Sequence, residues 1–411
     1  MLKRVRIVGV GMTGLGRHGL PAVELSRQAV DLALLDAGMS MVDLQGLVAV
    51  PSISQPHFMQ AHYIGTKLGL LPRRKFVVRT IDTGGAGPIS ALSTAAQIIR
   101  QEWADVVVVV ASDAVLSLNS AEFARRADSS VEGSDLPSPC IPNGYDRVAE
   151  WHMKAYGLRR EQLAMVPVIE SHLAAKHPLA MCKQPLTLDD VLSSRRVGNV
   201  TNLLECARRT DGGCALIVAS ERHFKRHFTK ALNLCPVIVS SGEASGPIYP
   251  PAADRITEEL FSCERATEIA YQAAQVGRDD IDFFALYDCF PICLIRALEA
   301  TRVCPVGGGG ELVESVYRDL MRTGRVDTKR WPINTHGGLQ CFGAPWEVPA
   351  MYNVVEAVAQ LTGRAAARQL TPKPRRALVY GNGGIFSASS VAILGDGDYS
   401  AGTHHDIAAE E

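Results

Sequence analysis

Two stretches of this chain share one grammar, and that repetition constrains its fold more than any other feature. Residues 22 to 50, AVELSRQAVDLALLDAGMSMVDLQGLVAV, carry apolar positions at helical spacing, then Gly38, an acidic turn and a strand-like end. Residues 264 to 290, ERATEIAYQAAQVGRDDIDFFALYDCF, repeat that order. A second pair follows. KFVVRTIDTGGAGPISALSTAAQIIRQEWADVVVVV, from Lys75, is matched by RWPINTHGGLQCFGAPWEVPAMYNVVEAVAQLTG, from Arg330, which continues through a polar linker to RRALVYGNGG. In each, a strand enters a Gly-rich turn, an apolar helix follows and a strand returns. Such self-similarity predicts two like α/β halves, each wound around its own sheet, with ligands where strand ends of both halves converge.

Residues 121 to 195 interrupt the pattern with more Pro, His and polar residues, as in SVEGSDLPSPCIPNGYDR. The expected division is 1–120 plus 196–230 for the N-terminal half, 121–195 for an inserted loop region, and 231–398 for the C-terminal half. A disordered tail is expected over 399–411. Within the insertion, LTLDDVLSSRR has a helix pattern with a Thr cap.

With 411 residues, 47% hydrophobic and 21% charged, the chain can bury a sizeable core. Its net charge of −1 offers no long-range attraction to nucleic acid. No apolar run reaches the ~18 residues of a membrane span, and MLKRVRIVGVG is too short and alternating for a signal peptide. The expected location is cytoplasmic. Ten cysteines lie scattered, without a CxxC pair or zinc-ligand spacing, and read as reduced, mostly buried thiols. No metal site is expected.

GVGMTG, residues 9–14, fits the dinucleotide pattern GxGxxG after a strand. The third glycine should open a helix at once, yet LGRHGLP intervenes, and the first acids at suitable distance, Asp31 and Asp36, fall in or at the end of the helix. A structural turn is the expected reading.

DLALLDAGM, TGGAGPISAL with ADVVVVVAS, KQPLTLDDVLSSR, LLECARRTDGGCALIVAS, YDCF, INTHGG and YGNGG, in this order, resemble the thiolase superfamily, specifically the thiolase-like lipid-transfer proteins related to sterol carrier protein X. The resemblance implies a two-half α/β thiolase fold in αβαβα layers, at least a homodimer, acyl-CoA as ligand, and a small zinc-ribbon/OB-fold partner protein. It also implies acyl transfer by a cysteine and by histidines that move protons. The chain departs from that pattern. Gly85 stands where the nucleophilic cysteine is expected, Ala344 in the GHP turn, Tyr287 at the histidine of HDCF, and Tyr380 near the second cysteine.

The candidate catalytic residues are therefore Tyr287, His336 and Asn334. Tyr287 reads either as an acid-base group or as a packed core tyrosine, and His336 either as a substitute proton carrier or as a pinned histidine. Cys341 and Cys289 are the thiols that a relocated nucleophile would use. Gly84 and Gly85 form either an anion-binding helix start or a plain tight connection. The resemblance lays Ser241 and Gly242 along the coenzyme, and brings Arg208 and Arg209 within reach of a phosphate or leaves them solvated. No coenzyme is expected to be held permanently; a coenzyme A thioester enters as substrate or ligand. The activity implied is making or breaking a C–C bond, of retro-aldol or Claisen type, without an acyl-cysteine intermediate. The alternative is a non-catalytic acyl-CoA or lipid binder, or an inactive subunit of a heteromeric complex.

Overall fold

The computed structural model describes residues 3–399, so the expected tail lies, apart from Tyr399, outside the described residues. Nine strands occur among these residues: Val5–Met12 (β1), Gly46–Ala49 (β2), Val77–Thr80 (β3), Val106–Ala114 (β4), Asp211–Ser220 (β5), Val237–Ser245 (β6), Phe283–Ala285 (β7), Arg376–Gly383 (β8) and Ala388–Gly395 (β9). Their order is β3-β2-β4-β5-β1-β6-β9-β8-β7. The two halves meet at one rung, Arg6 opposite Val237. Outward from that rung the order is β1-β5-β4-β2 on one side and β6-β9-β8-β7 on the other. Each half has two antiparallel pairings and then a parallel one, and β3 adds a second parallel pairing beyond β2 at the N-terminal edge. The doubling seen in the sequence is thus a doubling of topology.

Side-chain alternation explains the layers. On β4, Val107 and Val109 join the core that holds Ile89, Leu92 and Ile99 of the helix Gly87–Arg100. Val106, Val108 and Val110 face the other way, into a core with Val30, Ala33 and Leu34 of the helix Ala22–Ala37. The helix Gly87–Arg100 touches β4 and β5 of one half and β8 and β9 of the other; Pro349–Thr362 touches β7 and β8 as well as β1 and β5, and the two helices touch each other. They form the middle layer, and Cys263–Ala274 covers β6 and β9 as Ala22–Ala37 covers β1 and β5. The result is αβαβα. No helix among the described residues is long and apolar enough to cross a membrane.

GVGMTG serves this packing. A Cβ on Gly11 would lie 2.9 Å from the Leu32 carbonyl carbon and nearer still to the Ala29 carbonyl oxygen. Only a glycine lets β1 come so close to its helix.

The stretch 121–195 is largely helical, with Ser120–Ser129, Cys140–Tyr156, Arg160–Ala174 and Leu188–Ser193. Thr187 caps the last of these, its Oγ1 accepting from Asp190 N–H at 3.1 Å. The helix Arg160–Ala174 is buried along most of its length and packs beneath the segment Gly338–Phe342, so this stretch contributes to the interior.

Candidate active site

The turn Gly84–Ala86 ends in the helix Gly87–Arg100, with Pro88 in its first turn where a missing N–H costs nothing. Its backbone lies directly on the YGNGG segment. A Cβ on Gly84 would be 2.8 Å from Gly384 N and 3.0 Å from Gly383 Cα. A Cβ on Gly85 would overlap the Tyr287 hydroxyl and the Asn382 carbonyl oxygen, and would stand 2.5 Å from Tyr287 Cζ. Tyr287 therefore fills the volume that a side chain at residue 85 would use, and the two substitutions form one steric unit.

Tyr287 follows β7, and its aromatic ring is buried. Burial pushes its hydroxyl well above the ordinary tyrosine range; the thiols of Cys289 and Cys293 and the carboxyls of Glu347 and Asp288 push the same way. No cation appears among these causes. The hydroxyl consequently keeps its proton at neutral pH.

Tyr145, from the insertion, closes one side of the site. Its hydroxyl donates to Gly384 O at 2.5 Å and accepts from Asn382 Nδ2 at 2.9 Å, while its ring stacks on Phe290 at 4.6 Å. Cys289, just before the helix Pro291–Ala300, and Cys293 within it bring their sulfurs to 3.4 Å.

Asn334 and Asp288 build the floor. Asn334 Oδ1 accepts from Leu286 N–H at 2.7 Å, and its Nδ2 donates to Leu286 O at 2.9 Å. This pins the residue before Tyr287. Asp288 Oδ1 accepts from Leu339 N–H at 2.9 Å and Oδ2 from Gln340 N–H at 3.3 Å, which fixes the π-helical segment Gly338–Phe342. Asn334 Nδ2 also donates to Glu170 Oε1 at 3.3 Å and to Asp288 Oδ1 at 3.4 Å, which sets the two carboxyls side by side. Burial first, and the neighbouring Asp288, raise Glu170 far above the carboxylate range, and burial lifts Asp288 to about 6. One proton shared by the two carboxyls accounts for both shifts.

The structure does not bring His336 to Tyr287. Its imidazole is buried beside Phe342, with Glu356, Arg368 and Asn353 around it, and burial lowers it to about 4. A relay from Tyr287 to His336 is not built. Cys341 is fully buried, bonded to the Pro167 carbonyl and to Cys182. The hydrogen bond to Cys182 and then burial raise its thiol well above the normal range, which is unfavourable for a nucleophile. Tyr380 is a core residue whose hydroxyl lies 3.4 Å from Ser389 Oγ.

Ser241 points into the middle layer, its hydroxyl 2.7 Å from that of Ser93. Gly242 faces the opposite side of β6. A Cβ there would be 2.7 Å from Ala270 N and closer to the Ala266 carbonyl oxygen, so Gly242 is the packing counterpart of Gly11 and stands apart from Tyr287. Arg209 lies 4.6 Å over the Phe123 ring, whose edge contact with Trp346 spans 5.9 Å. Arg208 and Arg209 are both half-buried.

The sequence reading passed over Glu347. It stands three residues beyond Ala344, and its Oε2 is closed off from solvent with no hydrogen-bond partner among the described residues. Burial raises its carboxyl to about 8, with Asp82 and Asp113 adding to the shift. The signal available in the sequence was an acid inside an apolar turn, GAPWEVP.

The family profile described as thiolase C-terminal domain-like matches residues 252–396. Over 99% of the chain and 75% of the relative, it is 27% identical to sterol carrier protein 2 of Bos taurus. Over 90% of the chain and 94% of the relative, it is 28% identical to an acetyl-CoA acetyltransferase of Methanothermobacter thermautotrophicus. Among solved structures, the Ltp2-ChsH2(DUF35) aldolase superposes with a TM-score of 0.78 at 25% identity, covering 97% of this chain and 99% of that one. Together with the doubled αβαβα fold, these likenesses show a thiolase C-terminal domain-like region over residues 252–396 and a chain whose homologues and structural neighbours are thiolase-like proteins of the sterol carrier protein 2 type.

Proposed function

We propose that the protein breaks, or in reverse forms, a carbon–carbon bond in a 3-hydroxyacyl-CoA thioester by retro-aldol chemistry, without an acyl-cysteine intermediate. The observation that carries this reading is the placement of the Tyr287 hydroxyl in the side-chain space of Gly85. A nucleophile is exchanged there for a proton-bearing donor. A retro-aldol reaction needs such a donor, because negative charge develops on the thioester oxygen as the enolate forms, and it needs no covalent nucleophile. The Gly84–Ala86 turn at the start of a buried helix offers backbone N–H groups to the same oxygen. Asn334 and Asp288 are positioning residues in this scheme, since they hold the backbone on either side of Tyr287 and touch no reacting atom.

Likeness to the Ltp2-ChsH2(DUF35) aldolase supports the reaction class. The two-component name of that structure supports a partner protein, and the proposal extends to a homodimer that works with a small zinc-ribbon/OB-fold protein.

The test is co-purification from the native source, followed by assay of the complex with 3-hydroxyacyl-CoA and 3-oxoacyl-CoA esters. Tyr287→Phe removes one hydroxyl and little volume. Thioester binding should persist while cleavage falls about 10²- to 10⁴-fold, the range for a lost acid-base group. Cleavage by the Phe variant at the wild-type rate would reduce Tyr287 to a packed core residue. Binding without cleavage by any wild-type complex would make the chain a non-catalytic acyl-CoA binder.

A further inference from the structure

A donor at the thioester oxygen completes only half of a retro-aldol site. The β-hydroxyl must also lose its proton, and Tyr287, held protonated, does not take it. Two other carboxyls are already engaged, Asp288 next to Tyr287 and Asp113 near Glu347. Asp288 is committed to Leu339, Gln340 and Glu170. Asp113 accepts N–H bonds from Ile53 at 2.7 Å, Ser54 at 3.0 Å and Ala114 at 2.9 Å.

Glu347 is different. The helix that follows it, Pro349–Thr362, touches the Gly84–Ala86 turn, and the Glu347 Oε2 is shielded from solvent without a hydrogen-bond partner among the described residues. The backbone that presents it is strained: Trp346, immediately before it, has φ 55°, a left-handed conformation that is an outlier for so bulky a residue. The edge contact with Phe123 and the turn from Val348 N–H to Pro345 O hold that conformation, and Pro349 then opens the helix Pro349–Thr362. Glu347 as a whole is half-buried, and the burial of one of its oxygens, with Asp82 and Asp113 near, disfavours its charged form. Such a group, presented by a strained turn just before a helix that touches the Gly84–Ala86 turn, has the properties of a base awaiting a substrate proton.

We propose that Glu347 is the general base that takes the β-hydroxyl proton of a 3-hydroxyacyl thioester whose enolate is held by Tyr287. This rests on the retro-aldol reading above. The O–H proton passes to the Glu347 carboxylate and the C–O bond becomes a carbonyl. The Cα–Cβ bond breaks, and its electron pair enters the thioester as an enolate. The proton then returns from Glu347 to Cα, giving a free aldehyde or ketone and a shortened acyl-CoA, with no other reactant consumed.

The first measurement needs neither a variant nor turnover. Calorimetry on the wild-type complex compares 3-hydroxybutyryl-CoA with butyryl-CoA from pH 6.5 to 9. Burial, with Asp82 and Asp113 adding to it, holds the Glu347 carboxyl at about 8, so its ionised fraction rises across this window. The preference for the hydroxylated ester should grow about 10-fold, as a hydroxyl gains a charged acceptor. Glu347→Gln should abolish that growth, lower cleavage about 10²- to 10⁴-fold and flatten its pH profile. Glu347→Ala should regain part of the lost rate with added formate. A pH-independent preference in the wild type, or cleavage by Glu347→Gln at the wild-type rate, overturns the assignment. A rising preference without any cleavage would instead sink the retro-aldol reading and leave Glu347 placed at the β-oxygen.

Discussion

A Cβ on Gly85 and the hydroxyl of Tyr287 claim the same volume. Gly85→Ala should accordingly destabilise the fold by about 1–3 kcal/mol, the usual cost of overpacking a well-filled interior. Tyr287→Phe removes one of the atoms in the way but leaves the Asn382 carbonyl. The double variant should then lose less than the sum of the two single ones. Urea unfolding of all four proteins measures the coupling; additivity would show that the two residues are independent.

Incubation with acetoacetyl-CoA should leave the intact mass unchanged. Gly85 offers no thiolate, and Cys341 is buried, with its thiol pushed up by Cys182 and by burial. An acetyl adduct mapped to Cys341 or Cys289 would restore a relocated nucleophile.

Asn334→Ala leaves the Leu286 N–H and carbonyl without their buried partners. At about 1–2 kcal/mol for each unsatisfied group, a loss of about 2–4 kcal/mol in unfolding free energy is expected. Turnover should fall as well, because Leu286 precedes Tyr287. Thermal unfolding within about 1 °C of the wild type would disprove this anchoring role.

The shared proton of Glu170 and Asp288 has a signature in pH. Both carboxyls are raised in the fold, so the folded state holds more protons than the unfolded chain above the ordinary carboxylate range near pH 4. Stability from this pair is complete below that range and is lost as pH rises through about 6. Glu170→Gln removes one titrating group and keeps an amide to face Asp288. Between pH 4.5 and 7.5 the wild type should lose stability relative to this variant; parallel curves would exclude a shared proton.

His336 gives the opposite sign. Burial lowers it to about 4, so the unfolded chain binds its proton first, and stability falls as pH drops from about 6.5 toward 4. His336→Gln should reduce that acid sensitivity in denaturant unfolding at pH 4.5 and 7, and should leave Tyr287-dependent cleavage within about 3-fold of the wild type. A collapse of turnover with an intact fold would put His336 back among the reacting groups.

The doubled fold was legible in the sequence because helix spacing, Gly-rich turns and strand ends recur in one order, and periodicity survives without contacts. Tyr287 and Asn334 were legible as strand-end residues. Glu347 was not, since its distinction is the absence of a partner, which only the packing of Asp82, Asp113 and Tyr287 around it reveals. Tyr145 and Glu170 were hidden in a stretch whose composition reads as loop, yet whose helices reach Gly384 and Asp288. Gly242 was misplaced for a reason that the sequence contains: with Ser241 inward, strand alternation sends its neighbour outward.

The overlap at Gly85 also dates the changes that made this site. While Tyr occupies position 287 in this rotamer, no side chain fits at 85, so a lineage that began with a cysteine there had to shed it before, or together with, its gain of the tyrosine. The same ordering runs backward. A return to cysteine alone meets a filled space, which makes the loss of the nucleophile a one-way step until residue 287 becomes smaller and the Asn382 carbonyl shifts aside.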